Sequence, residues 1–424
     1  MAIAPDRTAR AAPVQLADPA TYRVGVPHAE FARRRREAPV SWVAEQPRVR
    51  PSSAGPIVDS GSGYWAVTTH AAVVAASREP GTFSSGRRGA FLNDPRTKAD
   101  LEFVRQLLIN MDAPEHTAVR RVVSAVFTPR AVGRLRDQVT DHARTVIRGC
   151  LEKDRFDVVT DLAAEVPLLV LADLLGIPRA DRHLLYGWSN RLVGFDDPEY
   201  GGGDVEAYRQ AFAEAFQYAL RVAEERRRAP RDDLVTRLAT AEVAGRRLSD
   251  REFCQFWLLL VVAGNETTRH LISGSVQALV EHPGERDRLH AAGQDALPTA
   301  VEELVRWVTP IMQFRRTATG DTELAGQPIA EGDKVVLYYA SANRDGHAIP
   351  GADRLDLARD PNPHLSFGIG PHFCLGAHLA RLELSAVLTE LLPHLPAVEL
   401  DGPQVRLESN FVNGIKSMPV RVRA

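Results

Sequence analysis

The 424 residues are 44% hydrophobic and 25% charged, proportions that exclude a fibrous repeat or a wholly disordered protein. A formal net charge of -2 excludes the single-sign field that a binder of nucleic acid or anionic membrane would carry. The three cysteines, Cys150, Cys254 and Cys374, are too few and too widely spaced for a disulfide framework or a zinc site with paired ligands.

Residues 1–20 are rich in Ala and Pro and predict a disordered N-terminal segment. They lack the apolar stretch of a signal peptide, so a cytoplasmic protein is expected. From 21 to 424 no stretch reads as an interdomain linker, which predicts a single large domain. The segment 64–69 (YWAVTT) is β-rich. Helical periodicity then marks 115–127, 131–150, 161–175 and 204–228. The longest pattern runs from about Asp250 to about His282, with Ser249 as candidate N-cap. At 1.5 Å per residue such a helix is about 50 Å long, enough to cross a domain. Its middle, Phe256 to Ala263, is apolar all round and should be buried. That run is far short of the ~20 residues that span a bilayer, so no membrane anchor is expected. A helix over 299–308, a hairpin in TELAGQPIAEGDKV and a strand over 334–341 follow. With many helices, few strands and no βα alternation, the fold class is mainly α with small β-sheets (α+β).

Two segments carry chemistry. Midway along the long helix stand Ala263, Gly264, Asn265, Glu266, Thr267 and Thr268. Glycine inside a helix costs about 1 kcal/mol relative to alanine, so Gly264 needs a reason. Glu266 and Thr267 set an acid beside an alcohol. The second segment is HLSFGIGPHFCLG, in which Phe367, Gly368, Gly370, His372, Cys374 and Gly376 spell FGxGxHxCxG. Chance would produce that pattern in a chain of this composition about once in a million. Its glycines allow tight turns and close approach to a flat ligand. Helical periodicity resumes after Cys374, placing the sulfur near a helix N-terminus, where free N–H groups and the dipole favour a thiolate. Phe367 and Phe373 are expected to shield the sulfur from water. Cys150 and Cys254 lack such surroundings and read as core residues.

The cysteine segment resembles the haem-binding loop of the cytochromes P450, and the AGNET stretch resembles their oxygen-activating helix. The resemblance runs over nearly the whole chain from about residue 20. In AGNETTRHLISG, PNPHLSFG and SNFVNGIKSMPVRV it is greatest to actinobacterial members that oxidise steroids, terpenoids or branched lipids. It implies the P450 fold, with the long helix lying over haem b (iron protoporphyrin IX) and Cys374 as the iron ligand. It implies that Gly264 leaves room for O2, that Ala263 contacts the haem, that Thr267 holds the oxygen, and that Glu266 relays protons from solvent. Many relatives carry Asp where this chain has Glu266, so the relay geometry is expected to differ. Phe367, Gly368 and Gly376 would cradle the haem, and His116, Arg120, Arg316 and His372 would bind its propionates. Glu303 and Arg306 match the family's structural E-x-x-R pair. That motif recurs along the chain, and its place before Pro310 and Arg315-Arg316-Thr317-Ala318 selects this copy. Arg354 and Arg359 are both candidates for the third member.

The implied reaction is R–H + O2 + 2 electrons + 2 protons giving R–OH and water. By position in the family, the substrate pocket takes residues from Phe91 to Ile109, then Trp188, Leu192, Phe195, Leu259 and Ala263, then Ile311 to Phe314, and finally Phe411 and Val412. Most are apolar, which suits a hydrophobic small molecule. No flavin or nicotinamide motif is visible, so electrons are expected from a ferredoxin with its ferredoxin reductase. A basic patch with Arg120, Arg121 and Arg359 would receive it. Two alternatives remain. A peroxide-driven haem peroxygenase has no need of the Glu266 and Thr267 pair. A non-catalytic haem-based ligand sensor would carry a signalling domain or a disrupted oxygen site.

Overall fold

The long helix is Asp250–Glu281, and its start follows from a capping box: Ser249 Oγ accepts from Glu252 N while the Glu252 carboxylate accepts from Ser249 N. The structure, a computed structural model, describes residues 14–423 apart from 54, 125, 126, 232, 244 and 245. Phe253, Trp257, Val261, Leu271, Ile272, Val276 and Leu279 are buried, as the apolar sequence predicts, but Ala263 at the end of the apolar middle is exposed, so the burial is not all round. Helices Glu165–Leu174, Arg182–Val193, Val205–Arg228, Leu297–Val308 and Ala377–Leu391 pack around it. Among the described residues no helix is long and apolar enough to cross a membrane.

The predicted helices are present with adjusted ends. The 115–127 pattern becomes Glu115–Ser124, with 125 and 126 outside the described residues. The 131–150 pattern divides into a short turn, Pro129–Gly133, and a helix, Arg136–Leu151. The 161–175 pattern divides into a wide π-type turn, Val158–Ala163, and the helix Glu165–Leu174, because Asp157 caps the turn by accepting from Val159 N and Thr160 N. The 204–228 pattern becomes Val205–Arg228, capped by Asp204, and 299–308 becomes Leu297–Val308.

Five strands form the main sheet: β1 Val40–Val43, β2 Tyr64–Val67, β3 Phe83–Ser84, β4 Gln313–Ala318 and β5 Lys334–Tyr338, in spatial order β1-β2-β5-β4-β3. β5 runs parallel to β2, with Val335 opposite Trp65, and antiparallel to β4, with Val335 opposite Arg316. The strand expected over 334–341 stops at Tyr338. A helical turn follows, in which Ser341 Oγ donates to Thr68 O at 2.7 Å and Arg35 Nη1 reaches the Ser341 carbonyl at 3.1 Å. The hairpin pairs Thr322–Leu324 with Gln327–Ile329, and Ala325 and Gly326 take φ 50° and 80° at its tip. Of the segment expected to be disordered, residues 1–13 lie outside the described residues. Residues 14–20 correct that expectation: Leu16 is buried with Phe31, Tyr64 and Tyr338, and Asp18 caps a 3-10 turn at Pro19–Val24.

Candidate active site

The cysteine loop is shaped by two glycines in the left-handed region, Gly368 at φ 69° and Gly370 at φ 78°. A Cβ on Gly370 would stand 2.6 Å from the Ser77 carbonyl oxygen, so that position has no room for a side chain. Cys374 N donates to Phe367 O at 2.9 Å and closes the loop. The helix Ala377–Leu391 starts three residues beyond the cysteine, as predicted. The Cys374 side chain is accessible, yet it sits deep enough among protein atoms that burial is the largest influence on its thiol. A group both reachable and enclosed lines an internal space. Burial pushes the thiol up, against the sequence expectation of a thiolate, because it outweighs the N–H groups of Gly376 and Ala377 and the cations of Arg120 and Arg381. A coordinated metal reverses that balance, since a coordinating thiol is deprotonated outright. Phe367 packs 4.4 Å beneath the Arg381 guanidinium, whereas Phe373, expected to shield the sulfur, is exposed.

His116, Arg120, Arg316 and His372 gather beside this loop. The His116 and His372 rings lie 4.3 Å apart, and Arg120 donates to the Phe373 carbonyl. Burial, then Arg316, His116 and Arg120, push His372 down to about 2. Burial, then Arg120, lower His116, whose Nε2 is buried with no hydrogen-bond partner. Asp112, the opposing charge that His116 feels, is occupied by the Ser84 hydroxyl and by the N–H groups of Ser85 and Gly86. Two arginines beside two imidazoles that burial keeps neutral, one with an orphaned nitrogen, form a site that suits an anion.

On the central helix, Ala263 is exposed although Val261 and Asn265 on either side are fully buried, so the helix turns its Ala263 face to open space. Thr267, one turn on, is half-buried and donates its hydroxyl to Ala263 O at 2.7 Å. A Cβ on Gly264 would lie 3.4 Å from Leu171 Cδ1, an ordinary contact, so packing against the neighbouring helix does not demand the glycine. Glu266 departs from expectation. It is 1% exposed and turned from solvent, with Oε1 accepting from Ser189 Oγ at 2.8 Å and Oε2 paired with Arg269 and 3.3 Å from His270 Nε2. Burial opposes its charge, but Arg269, His270 and Ser189 together hold the carboxyl below its usual range.

Glu303 and Arg306 form a fully buried bidentate pair with both contacts at 2.7 Å. Arg359 is the third side chain, donating from Nε to Glu303 Oε2 at 3.1 Å; Arg354 contributes only its carbonyl, to Arg306 Nη2. That pairing removes Arg359 from the basic patch proposed for a partner, while Arg121 remains exposed. Neighbouring Glu302 reaches the cysteine loop more directly. It accepts from Arg381 Nη2 at 2.8 Å and lies 3.0 Å from His364 Nε2.

Three expected pocket residues converge. Phe91, Phe314 and Phe411 stack edge to face, with centroids 5.4 Å apart for Phe91–Phe411 and Phe314–Phe411 and 6.2 Å for Phe91–Phe314. Ile311 bridges to Val412 beside them. Leu192 and Leu259 are partly buried against the helical core. Trp188 is a core residue, corrected from pocket lining: it is 3% exposed, donates to Glu214 and packs against Trp257 and Tyr218. Phe195 lies 4.7 Å beneath Arg50, which lines a polar cavity of about 390 Å³ with Arg48, Leu92, Asp94 and Asp196.

Residues 200–418 match the family described as Cytochrome P450. Over 406 residues the chain is 40% identical to the steroid C26-monooxygenase of Rhodococcus jostii (strain RHA1), covering 95% of this chain and 83% of that protein.

The chain belongs to the cytochrome P450 family.

It is also 42% identical, over 394 residues, to the methyl-branched lipid omega-hydroxylase of Mycobacterium tuberculosis (strain ATCC 25618 / H37Rv), covering 92% of this chain and 90% of that one. A Mycobacterium marinum cytochrome P450 in complex with pseudoionone superposes with a TM-score of 0.88 at 40% identity, over 97% of this chain and 99% of the other. A Bacillus megaterium P450 in complex with testosterone gives 0.81 at 30% identity, over 94% and 98%. As a P450 the chain is a haem-thiolate monooxygenase. Its residues fit a haem on their own chemistry: an enclosed, reachable cysteine on one side and an uncompensated cluster of bases for two propionates. Sequence reading missed Ser189, Asn190, Arg269 and His270 around Glu266. Arg269 and His270 sit three and four residues beyond Glu266 and carried a readable signal; Ser189, 77 positions upstream, carried none.

Proposed function

We propose that this P450 inserts one oxygen atom from O2 into a hydrophobic small molecule of the steroid, terpenoid or branched-lipid class, using haem b and electrons from an external ferredoxin and its reductase. The observation that carries the reading is the accessible but enclosed Cys374, in a molecule whose central helix leaves Ala263 and Thr267 at open space. Haem iron held by a cysteine thiolate supplies the O–O cleaving chemistry. His116, Arg120, Arg316 and His372 would hold the propionates, and Phe367, Gly368 and Gly376 would form the loop's side of the haem site. Thr267 keeps a proton at Oγ1, donated to Ala263 O in the resting state, and can turn it into the space beside it. Glu266, ionised at rest, is the buried carboxylate that takes up protons in transit and passes them on towards that space. Phe91, Phe314, Phe411 and Ile311 exclude water and bind an apolar body, and Leu192 and Leu259, packed on the helical core, extend the apolar lining. Exposed Arg121 beside Arg120 attracts an acidic ferredoxin in the cytoplasm. Residues 21–424 act as one haem domain.

The test is turnover under ¹⁸O2 with ferredoxin and reductase, offering a steroid with an intact side chain and a methyl-branched fatty acid. One ¹⁸O atom in the product of either is expected. Oxygen drawn only from added peroxide, or no product from either probe, would contradict the reading.

A further inference from the structure

The Glu266 carboxylate is surrounded by groups that differ in how freely they can move a proton. Arg269 is permanently charged, and Asn190 Oδ1 holds its Nη1 at 2.8 Å while its guanidinium lies 5.1 Å over the Tyr186 ring. His270 accepts at Nδ1 from Ile415 N at 3.3 Å, so its other nitrogen carries the hydrogen that faces Glu266. Its ring packs against Gly414, where a Cβ would stand 2.8 Å from it, and the Ile415 N–H fixes which nitrogen faces Glu266. Tyr200, from the next loop, feels the Glu266 charge but is hydrogen-bonded to Tyr186.

Ser189 is different. Its oxygen accepts from Asn265 Nδ2 at 2.8 Å, which fixes the atom, and its single hydroxyl proton has two acceptors in reach: Glu266 Oε1 at 2.8 Å and the Tyr186 carbonyl at 3.2 Å. Ser189 and Asn265 are fully buried and Glu266 nearly so, so each hydrogen bond there counts for more than it would in water. We propose that Ser189 is a positioning residue that sets the proton affinity of Glu266 by moving its one hydroxyl proton between Glu266 and the Tyr186 carbonyl. With the proton on Glu266 the carboxylate is satisfied and stays ionised. With the proton turned to Tyr186, Glu266 Oε1 loses a donor and becomes the better base, ready to take a proton onward. The inference rests on the reading of Glu266 as the proton relay.

The test uses the haem-loaded protein with Ser189→Ala, Ser189→Thr and Glu266→Gln. Infrared difference spectra across pH follow the protonated-carboxyl band that Glu266→Gln abolishes, and the same samples give product formed per electron against pH. A hydrogen bond to a buried carboxylate corresponds to a ten- to hundredfold change in proton affinity. Ser189→Ala should therefore raise the affinity of Glu266 by that factor and displace the pH profile of product per electron to higher pH. Ser189→Thr, which keeps a hydroxyl, should restore both. Should the alanine variant fail to take up haem, Ser189→Cys, a weak donor, should show a smaller change of the same sign. An unmoved Glu266 band in Ser189→Ala or Ser189→Cys overturns the proposal. A band that moves while product per electron stays fixed supports the role of Ser189 and contradicts Glu266 as the proton relay.

Discussion

Thr267 spends its one proton on the carbonyl four residues back, so its value to the site lies in being able to turn that proton outward. Replacing it with alanine removes the proton and leaves the apolar pocket untouched. Substrate binding should persist in Thr267→Ala while product per electron falls by roughly tenfold or more and peroxide rises; full coupling of electrons to product would contradict the role given to Thr267. Glu383, on the helix that follows the cysteine, presents a different residue-scale case. It is 2% exposed, its Oε2 has no partner, and burial pushes its carboxyl up from 4.5 to about 8. Below about 4.5 the acid is protonated in both folded and unfolded chains. Between about 4.5 and 8 the unfolded chain releases the proton and the folded chain keeps it, so folding stability falls as pH rises through that window. Glu383→Gln should therefore gain stability relative to the parent between pH 5.5 and 8.5, as read from urea unfolding at both values; a difference independent of pH would refute the buried neutral acid. The Glu383 environment was not legible, and the Arg269 latch on Glu266 showed only as a spacing of three along one helix. A sequence names titratable residues without saying which face of a helix another helix covers.

The central helix and the cysteine loop were the most legible elements, because each writes its demands locally. Ser249 and Glu252 mark the start of the helix, and its all-round apolar middle marks burial. The loop needs glycine at φ 78° where the chain passes Ser77. Gly370→Ala should lower stability by at least about 1–2 kcal/mol, since strain at positive φ adds to the 2.6 Å clash; thermal unfolding at the parent temperature would contradict this. Element ends resisted reading where a group from far along the chain decides them, as the Thr68 carbonyl and the Arg35 side chain do at Ser341. The same reason left the third member of the Glu303 and Arg306 pair open until Arg359 was seen on Glu303. Glu303→Ala strands a fully buried Arg306 and should cost roughly 3–5 kcal/mol, measured by urea unfolding. A loss under 1 kcal/mol would show that the pair is solvated in the native state.

At the scale of the whole molecule, the five-stranded sheet supplies Arg316 and Phe314 from one strand, and the helical layer supplies Ala263, Thr267 and His116. The site therefore requires both layers, and the resemblance that named the fold from motif and spacing is matched by relatives covering 95% of the chain. Substrate identity stayed beyond the sequence because apolar residues line pockets and fill cores alike, as Trp188 shows by packing into the core. Charge at the molecular surface makes its own prediction. Arg121→Glu should slow ferredoxin-driven turnover at low salt, with the deficit shrinking as ionic strength rises and the Debye length falls to about 8 Å at 0.15 M. An unchanged rate at low salt would remove that face from electron delivery. The most direct measurement of the central claim is the difference spectrum of the reduced protein under carbon monoxide. A strongly red-shifted Soret maximum, lost in Cys374→His, is predicted for iron held by the Cys374 thiolate. A histidine-like maximum in the parent protein, or no haem bound after expression with ample haem, would contradict the assignment of Cys374 as the ligand.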